Sequence, residues 1–291
     1  MKKDPTWFVV TNKYIVAANG PDSLYIESLR AVDVLELSKQ LSKLGSHNVV
    51  VDSVNDYSKL PTKEEYYKES EKEWEKTEWL PFATKLDLMK RRSIEWPEFL
   101  VIHWTAGRQT QNGKAAIEYG ASKGHTYCFL QADGKLFQGA PTNAGGYHLG
   151  DANISSYASL GIEVACAGKV EKIGEKFVPW FAKDSNGKII DKDCIPKENI
   201  IYDGDDYKDD GSFKGYYQKF TKEQKNTLIK IALYSVQVLK IKVENIRGHD
   251  EVATPHGRKT DPGASIGEGG MVQFRKDIKS MLDSGVLWDA I

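Results

Sequence analysis

Two short apolar runs constrain this chain more than any other feature. They are Phe99-Leu100-Val101-Ile102-His103-Trp104 and Leu160-Gly161-Ile162-Glu163-Val164-Ala165, and each carries one ionisable side chain. Consecutive apolar positions suit a strand covered on both faces, inside a sheet flanked by helices. A functional group near the end of such a strand lies where open α/β sheets hold their ligands.

The rest of the pattern agrees with an α/β fold. Residues 114–122 read as a helix. Thr126-Tyr127-Cys128-Phe129-Leu130 and Lys135-Leu136-Phe137-Gln138 flank Ala132-Asp133-Gly134, a hairpin signal. Thr221 and Gln224 form a capping box ahead of a helical pattern to residue 240. Ile246-Arg247-Gly248 leads through His249-Asp250 into a loop rich in Pro and Gly, and a last helix is expected over 271–282. Toward the N-terminus, Trp7-Phe8-Val9-Val10 and Tyr14-Ile15-Val16-Ala17-Ala18 have strand composition. Asp22 or Ser23 is read as the cap of a helix running to about Leu44, with His47-Asn48-Val49-Val50-Val51 as a further strand. The stretch from Pro61 to Leu80 interleaves Glu and Lys and reads as a solvated helix.

Composition excludes several classes. The 291 residues carry 40 Lys+Arg against 41 Asp+Glu, a formal net charge of −1, which argues against a strongly basic nucleic-acid binder. No apolar run approaches the roughly 20 residues that span a bilayer, so no membrane insertion is expected. Asp4 and Pro5 follow the basic start at once, which does not fit a secretory signal. Three cysteines without CxxC spacing disfavour both a disulfide framework and a cysteine-based zinc site. Residues 168–217, rich in Lys, Asp and Gly, read as an exposed insertion; their acidic run lacks the spacing of a calcium loop.

Histidines are scarce: His47, His103, His125, His148, His249 and His256. His103 and His249 both close expected strands. The loop after His249 supplies Asp250, Glu251, His256, Arg258, Lys259 and Asp261. Two imidazoles and one carboxylate form a normal shell for catalytic zinc, with a fourth position open to water. Chemistry alone leaves the carboxylate open among Asp250, Glu251 and Asp261, and leaves His256 in play.

Three separated motifs then resemble those of the zinc-dependent N-acetylmuramoyl-L-alanine amidases of type 2. That family includes phage lysozyme-like amidases, anhydromuropeptide amidases and the peptidoglycan recognition proteins. The first motif is Val101-Ile102-His103-Trp104-Thr105-Ala106. The second is Ser159-Leu160-Gly161-Ile162-Glu163-Val164, preceded by Gly145-Gly146-Tyr147-His148 and Asn153. The third is Gly248-His249-Asp250-Glu251-Val252-Ala253 with Gly257-Arg258-Lys259-Thr260-Asp261-Pro262-Gly263. The resemblance covers residues 96–287.

It implies a central mixed β-sheet flanked by helices, with a small N-terminal α/β extension over residues 1–92. Residues 93–291 would be the amidase domain, with the insertion at about 168–217. Zn2+ would be held by His103, His249 and Asp261. Glu163 would be the catalytic acid/base and Lys259 the cation facing the oxyanion. His148, Asn153, Trp104 and Tyr127 would touch substrate. The position of the catalytic tyrosine in phage and animal relatives falls on Thr126, between His125 and Tyr127, which moves the proton-transfer role onto Glu163. The implied partner is bacterial peptidoglycan or its muramyl peptides, cut between N-acetylmuramic acid and L-alanine. The competing reading is a peptidoglycan-binding module without activity. Without a signal peptide, the expected setting is synthesis in the cytoplasm followed by holin-type release or dedicated export, as for a phage endolysin or a cell-wall-targeting effector.

Overall fold

The computed structural model describes residues 6–10, 14–18, 24–26, 79–86, 88, 97–123, 128–143, 147–204 and 214–291. The chain divides into two compact units, residues 1–70 and 71–291. In the first, β1 (Thr6–Val10), β2 (Tyr14–Ala18) and β3 (Leu24–Ile26) form an antiparallel sheet in that order. The helix expected to start after Ser23 does not do so. Residues 24–26 pair with Val16, Ala17 and Ala18 instead, so a ladder to a neighbouring strand outcompetes a local helical turn. The remainder of that expected helix, the strand at 47–51 and most of the Glu/Lys stretch lie outside the described residues.

The second unit is built on a six-stranded mixed sheet. Its strands begin with β4 (Thr84–Lys85) and β5 (Phe99–Trp104); the helix α1 (Gly113–Lys123) follows. Next come the hairpin β6 (Cys128–Leu130) and β7 (Leu136–Gln138), then β8 (Ser159–Val164). A separate sheet is made of β9 (Lys169–Ile173), β10 (Lys176–Val178), β11 (Ile200–Asp203) and β12 (Gly215–Gln218). The chain then forms α2 (Lys222–Gln237), β13 (Ile246–Gly248), the short α3 (His249–Val252) and α4 (Gly270–Asp283). The large sheet has the order β13-β5-β8-β6-β7-β4, with β13, β5, β8 and β6 mutually parallel.

Alternation along β5 and β8 sorts their side chains between two layers. Leu100, Ile102, Leu160, Ile162 and Val164 face the main core with Leu228 and Ile231 of α2 and Met271, Phe274 and Ile278 of α4. Each such aliphatic side chain contributes about 1.5–3 kcal/mol on burial. The apolar positions of α4 recur at helical spacing, which lets one face of that helix close the core. The capping box of Thr221 and Gln224 is formed and starts α2. On the opposite face of the sheet, Val101 packs with Leu149 and Val252, leaving Ser159, Gly161, Glu163 and His103 on the side where the pocket opens.

The insertion is more ordered than an exposed loop. Its four antiparallel strands run β10-β9-β12-β11 and bury Val170 and Phe177 in a small core with Ala167. Tyr217, on the other face of β12, is fully buried against Gly263. Within the described residues, no helix is long and apolar enough to cross a membrane.

Candidate metal centre and active site

The site forms where β13, β5 and β8 end side by side. His249 follows β13 directly, while His103 and Glu163 are the penultimate residues of their strands. The parallel register pairs His103 with Glu163, so both side chains emerge on one face at the C-terminal ends of the strands. Asp261 arrives on the loop after α3. The Asp250 N–H donates to the Asp261 carbonyl at 2.7 Å and ties that loop to the helix.

Three ligand-type atoms converge. His103 Nδ1, His249 Nδ1 and Asp261 Oδ2 lie 3.0 Å from one another, and all three residues are buried. Among the described residues, this is the group of His, Cys, Asp or Glu side chains close enough to hold a metal ion together. Tetrahedral ligands at zinc bond lengths of about 2.0–2.1 Å lie roughly 3.3 Å apart, so the spacing fits. The donor set, two imidazoles and a carboxylate with one side open, fits as well.

The loop after His249 offered other ligands, and the geometry disposes of most of them. Glu251 accepts both Arg275 Nη atoms at 2.7 and 2.8 Å and the Gly248 N–H at 3.0 Å. His256 is exposed and does not line the pocket. The second nitrogen of His249 is also engaged: Nε2 lies 2.9 Å from the Leu149 carbonyl. A carbonyl only accepts, so Nε2 donates to it, and Nδ1 is the ring nitrogen turned toward the triangle. Arg258 donates to the same carbonyl at 2.9 Å and so helps hold it in place.

Above the triangle opens a cavity of about 350 Å³, lined by His103, Trp104, Thr105, Ala106, His148, Glu163, His249, Arg258, Lys259, Thr260 and Asp261. Its two carboxyl groups are displaced in opposite directions. Burial pushes the Glu163 carboxyl up, and the nearby Asp261 charge adds to this; Lys259 pulls the other way, and the result is about 8. Burial would also raise Asp261, but hydrogen bonds from His103 and His249 outweigh it and hold that carboxyl below the usual range. His103 is lowered chiefly by burial, against the pull of its bond to Asp261. His148 is lowered well below the ordinary imidazole value by burial and by the two neighbouring imidazoles. Such a pocket can hold a cation on its floor, exchange a proton through Glu163 and offer positive charge from Lys259.

The other expected site residues divide. Trp104 lines the cavity, its indole laid over Gly168, where a Cβ would come within 2.3 Å of the ring. His148 lines it too, and its ring stands edge-on to His103 with centroids 5.1 Å apart. Asn153 is exposed and outside the cavity lining; its N–H is bonded to the Val252 carbonyl at 2.9 Å. Tyr127, with His125 and Thr126, lies outside the described residues.

Thr105, Ala106, Arg258 and Thr260 line the cavity without having been singled out as site residues. The contribution of the insertion was also hidden. Trp180 donates from Nε1 to the Ala106 carbonyl at 2.5 Å, and Asp193 takes a two-pronged ion pair from Arg108 at 2.5 and 2.8 Å. Together with Tyr217 on Gly263, these contacts grip the segments that follow His103 and Asp261. No local signal in the sequence announces contacts of such separation.

Comparison with known proteins follows the same line. A family model described as N-acetylmuramoyl-L-alanine amidase matches residues 92–264, more than half of the chain. Among solved structures, the chain is similar to a selenomethionyl AmpD derivative at 17% identity, covering 68% of this chain and 97% of that one, with a TM-score of 0.39. It is similar to the N-acetylmuramyl-L-alanine amidase AmiD from E. coli, solved with anhydro-N-acetylmuramic acid-L-Ala-D-gamma-Glu-L-Lys, at 18% identity; 64% of this chain and 60% of that one are covered, with a TM-score of 0.37. It is also similar to the amidase LysC from Clostridium intestinale URNW at 16% identity, over 70% and 99% of the two chains, with a TM-score of 0.40. A search of curated proteins gave no match. The family assignment rests on the family match.

Proposed function

Because this chain belongs to the type 2 N-acetylmuramoyl-L-alanine amidase family, we propose that it hydrolyses the amide joining N-acetylmuramic acid to the L-alanine of a peptidoglycan stem, with zinc held by His103, His249 and Asp261. The observation that carries this reading is the triangle of ligand atoms, 3.0 Å on each edge, with Glu163 paired beside His103 on the next strand.

Zinc bound there would supply Lewis acidity toward water and the substrate carbonyl. The remaining work falls to side chains. Glu163 takes a proton from the attacking water as the carbon–oxygen bond forms. It returns that proton to the amide nitrogen as the carbon–nitrogen bond breaks. One water is consumed, and the products are a lactyl carboxylate on the sugar and a peptide with a free L-alanine amine. A carboxyl with a pKa of about 8 is suited to giving the proton back, and a cation on the pocket floor favours the ionised form that first accepts it. Lys259 offers positive charge to the tetrahedral oxyanion.

The same reading makes this a wall-degrading enzyme of the endolysin or exported-effector kind. Lysis of cells by protein added from outside, rather than turnover of soluble muropeptides alone, is the outcome that supports that setting.

The test of the reaction is digestion of purified peptidoglycan with zinc and with chelator, followed by mass spectrometry of the products. Free stem peptides beginning with L-alanine, lost on chelation and restored by zinc, are expected. Peptidoglycan bound but uncut would replace the enzyme with a binding module, and Glu163 and Lys259 would then be recognition residues.

A further inference from the structure

We infer that Trp180, presented by the insertion, is a stacking platform for a sugar ring of the glycan strand, beside the catalytic cavity and outside its lining. The inference rests on the peptidoglycan reading above for the polymer that carries the sugar, while the platform itself stands on the geometry of the insertion.

Trp180 opens a single helical turn, Trp180–Ala182, that follows the buried pair Val178 and Pro179. Ala182 is fully buried and its carbonyl accepts the Ile190 N–H at 2.8 Å, so the turn is anchored from below. The indole is left 70% exposed, more than any other large apolar side chain among the described residues. One exposed apolar side chain is ordinary in itself. This one is distinguished by how it is held. Its Nε1 donates to the Ala106 carbonyl at 2.5 Å, and Ala106 lines the cavity. The Phe181 ring stands edge-on beside it, with centroids 5.9 Å apart and planes at 80°. The indole is therefore fixed next to the cavity, with its one polar atom spent and most of its apolar surface in solvent. A ring so fixed loses little side-chain entropy when a ligand lies on it.

The charges that border the turn select the occupant. Arg108 gives both guanidinium arms to Asp193 at 2.5 and 2.8 Å and lies over the Phe181 ring, 4.7 Å from its centroid. Lys183 is paired with Glu171 at 2.5 Å. Both cations are thus engaged, whereas a stem peptide ends in a carboxylate and calls for a free one. A chain of N-acetylated sugars is uncharged. The C–H bonds on one face of a pyranose meet the negative face of an indole favourably, while its hydroxyls stay in water. The scissile amide hangs from the glycan by a short lactyl arm. A strand whose amide reaches the triangle must therefore run past the rim, where Trp180 stands.

The experiment is an NMR titration of the full chain labelled at tryptophan, with the Trp180 indole signal assigned by its loss in Trp180→Phe. One probe is the tetramer of N-acetylglucosamine, an uncharged glycan without lactyl arm or peptide; the other is a free stem peptide without sugar. The tetramer should shift the Trp180 signal and give Overhauser contacts between the indole ring protons and sugar C–H protons. Trp180→Ala should bind the tetramer about 5- to 10-fold more weakly, and Trp180→Phe, which keeps a ring but loses the tether to Ala106, should fall between. On purified peptidoglycan, Trp180→Ala should raise KM by a similar factor, with a smaller change in kcat. A Trp180 signal moved by the stem peptide and not by the tetramer, or by neither, would overturn the inference. Wild-type affinity for the tetramer in Trp180→Ala would overturn it too. A loss in kcat with KM unchanged would make Trp180 a brace for Ala106 and end the platform. Tetramer bound at Trp180 by a protein that cuts no peptidoglycan would support the platform and contradict the amidase reading. Cleavage with no sugar at Trp180 would do the reverse.

Discussion

The floor of the pocket beneath β13 and β5 and its wall along β8 each carry a carboxylate, and the fold treats the two in opposite ways. Asp261, on the floor, receives hydrogen bonds from two imidazoles and stays ionised despite burial. Glu163, on the wall, has no comparable pair of donors among the described residues, and burial beside the Asp261 charge raises it to about 8. Burial is common to both; the difference lies in what else touches the group. A carboxylate with fixed donors suits ligation, and one with a raised pKa suits carrying a proton.

The sharpest way to break this contrast is to remove the floor. Asp261→Ala should bring turnover to background and abolish stoichiometric zinc, as read by product release and elemental analysis. Next comes Glu163→Gln, which should keep the metal and lose about 100- to 10,000-fold in kcat, the usual span for a general acid/base. Lys259→Ala should cost about 100- to 1,000-fold in kcat, with a smaller effect on KM, if its charge acts on the oxyanion. Equal losses in KM and none in kcat would make Lys259 a substrate-binding group instead.

The smallest effect separates the two carboxylates by the sign of their pH dependence in metal-free protein. Asp261, with its pKa lowered in the fold, contributes stability that is present above about 3.9 and is lost as pH falls through the lower native value. Glu163 does the reverse. The folded chain holds a proton that the unfolded chain releases, so stability declines as pH rises from 4.5 toward about 8. Thermal unfolding in chelator should therefore show Glu163→Gln gaining on wild type as pH rises through that window. A Glu163→Gln protein that runs parallel to wild type from acid to alkaline pH would mean that Glu163 is not held in its protonated form.

Much of the sheet was legible because its strands carry their own signals. Phe99–Trp104 and Ser159–Val164 are apolar enough to declare burial on both faces, and Ala132-Asp133-Gly134 marks the turn of the antiparallel pair β6 and β7. Thr221 and Gln224 announce α2 through a local, reciprocal hydrogen bond. What stayed hidden depends on distant partners. Leu24–Ile26 becomes a strand only because β2 lies beside it. The strands of the insertion are short and two of them carry lysines, so their pairing is invisible before Tyr217 and Phe177 are seen to be buried. His148 could be read as a residue near the cavity, but its partnership with His103 spans 45 positions and needs the gap at Gly161. Period-two alternation through Ser159, Gly161 and Glu163 was the one available hint.

The central claim is that the floor binds the metal and the wall moves the proton. Its most direct test is the zinc-to-protein ratio of Asp261→Ala and Glu163→Gln, measured side by side with the wild type after equilibration with limiting free zinc. The account predicts one zinc per chain in the wild type and in Glu163→Gln, and none in Asp261→Ala. A full equivalent of zinc retained by Asp261→Ala, or lost from Glu163→Gln, would contradict it.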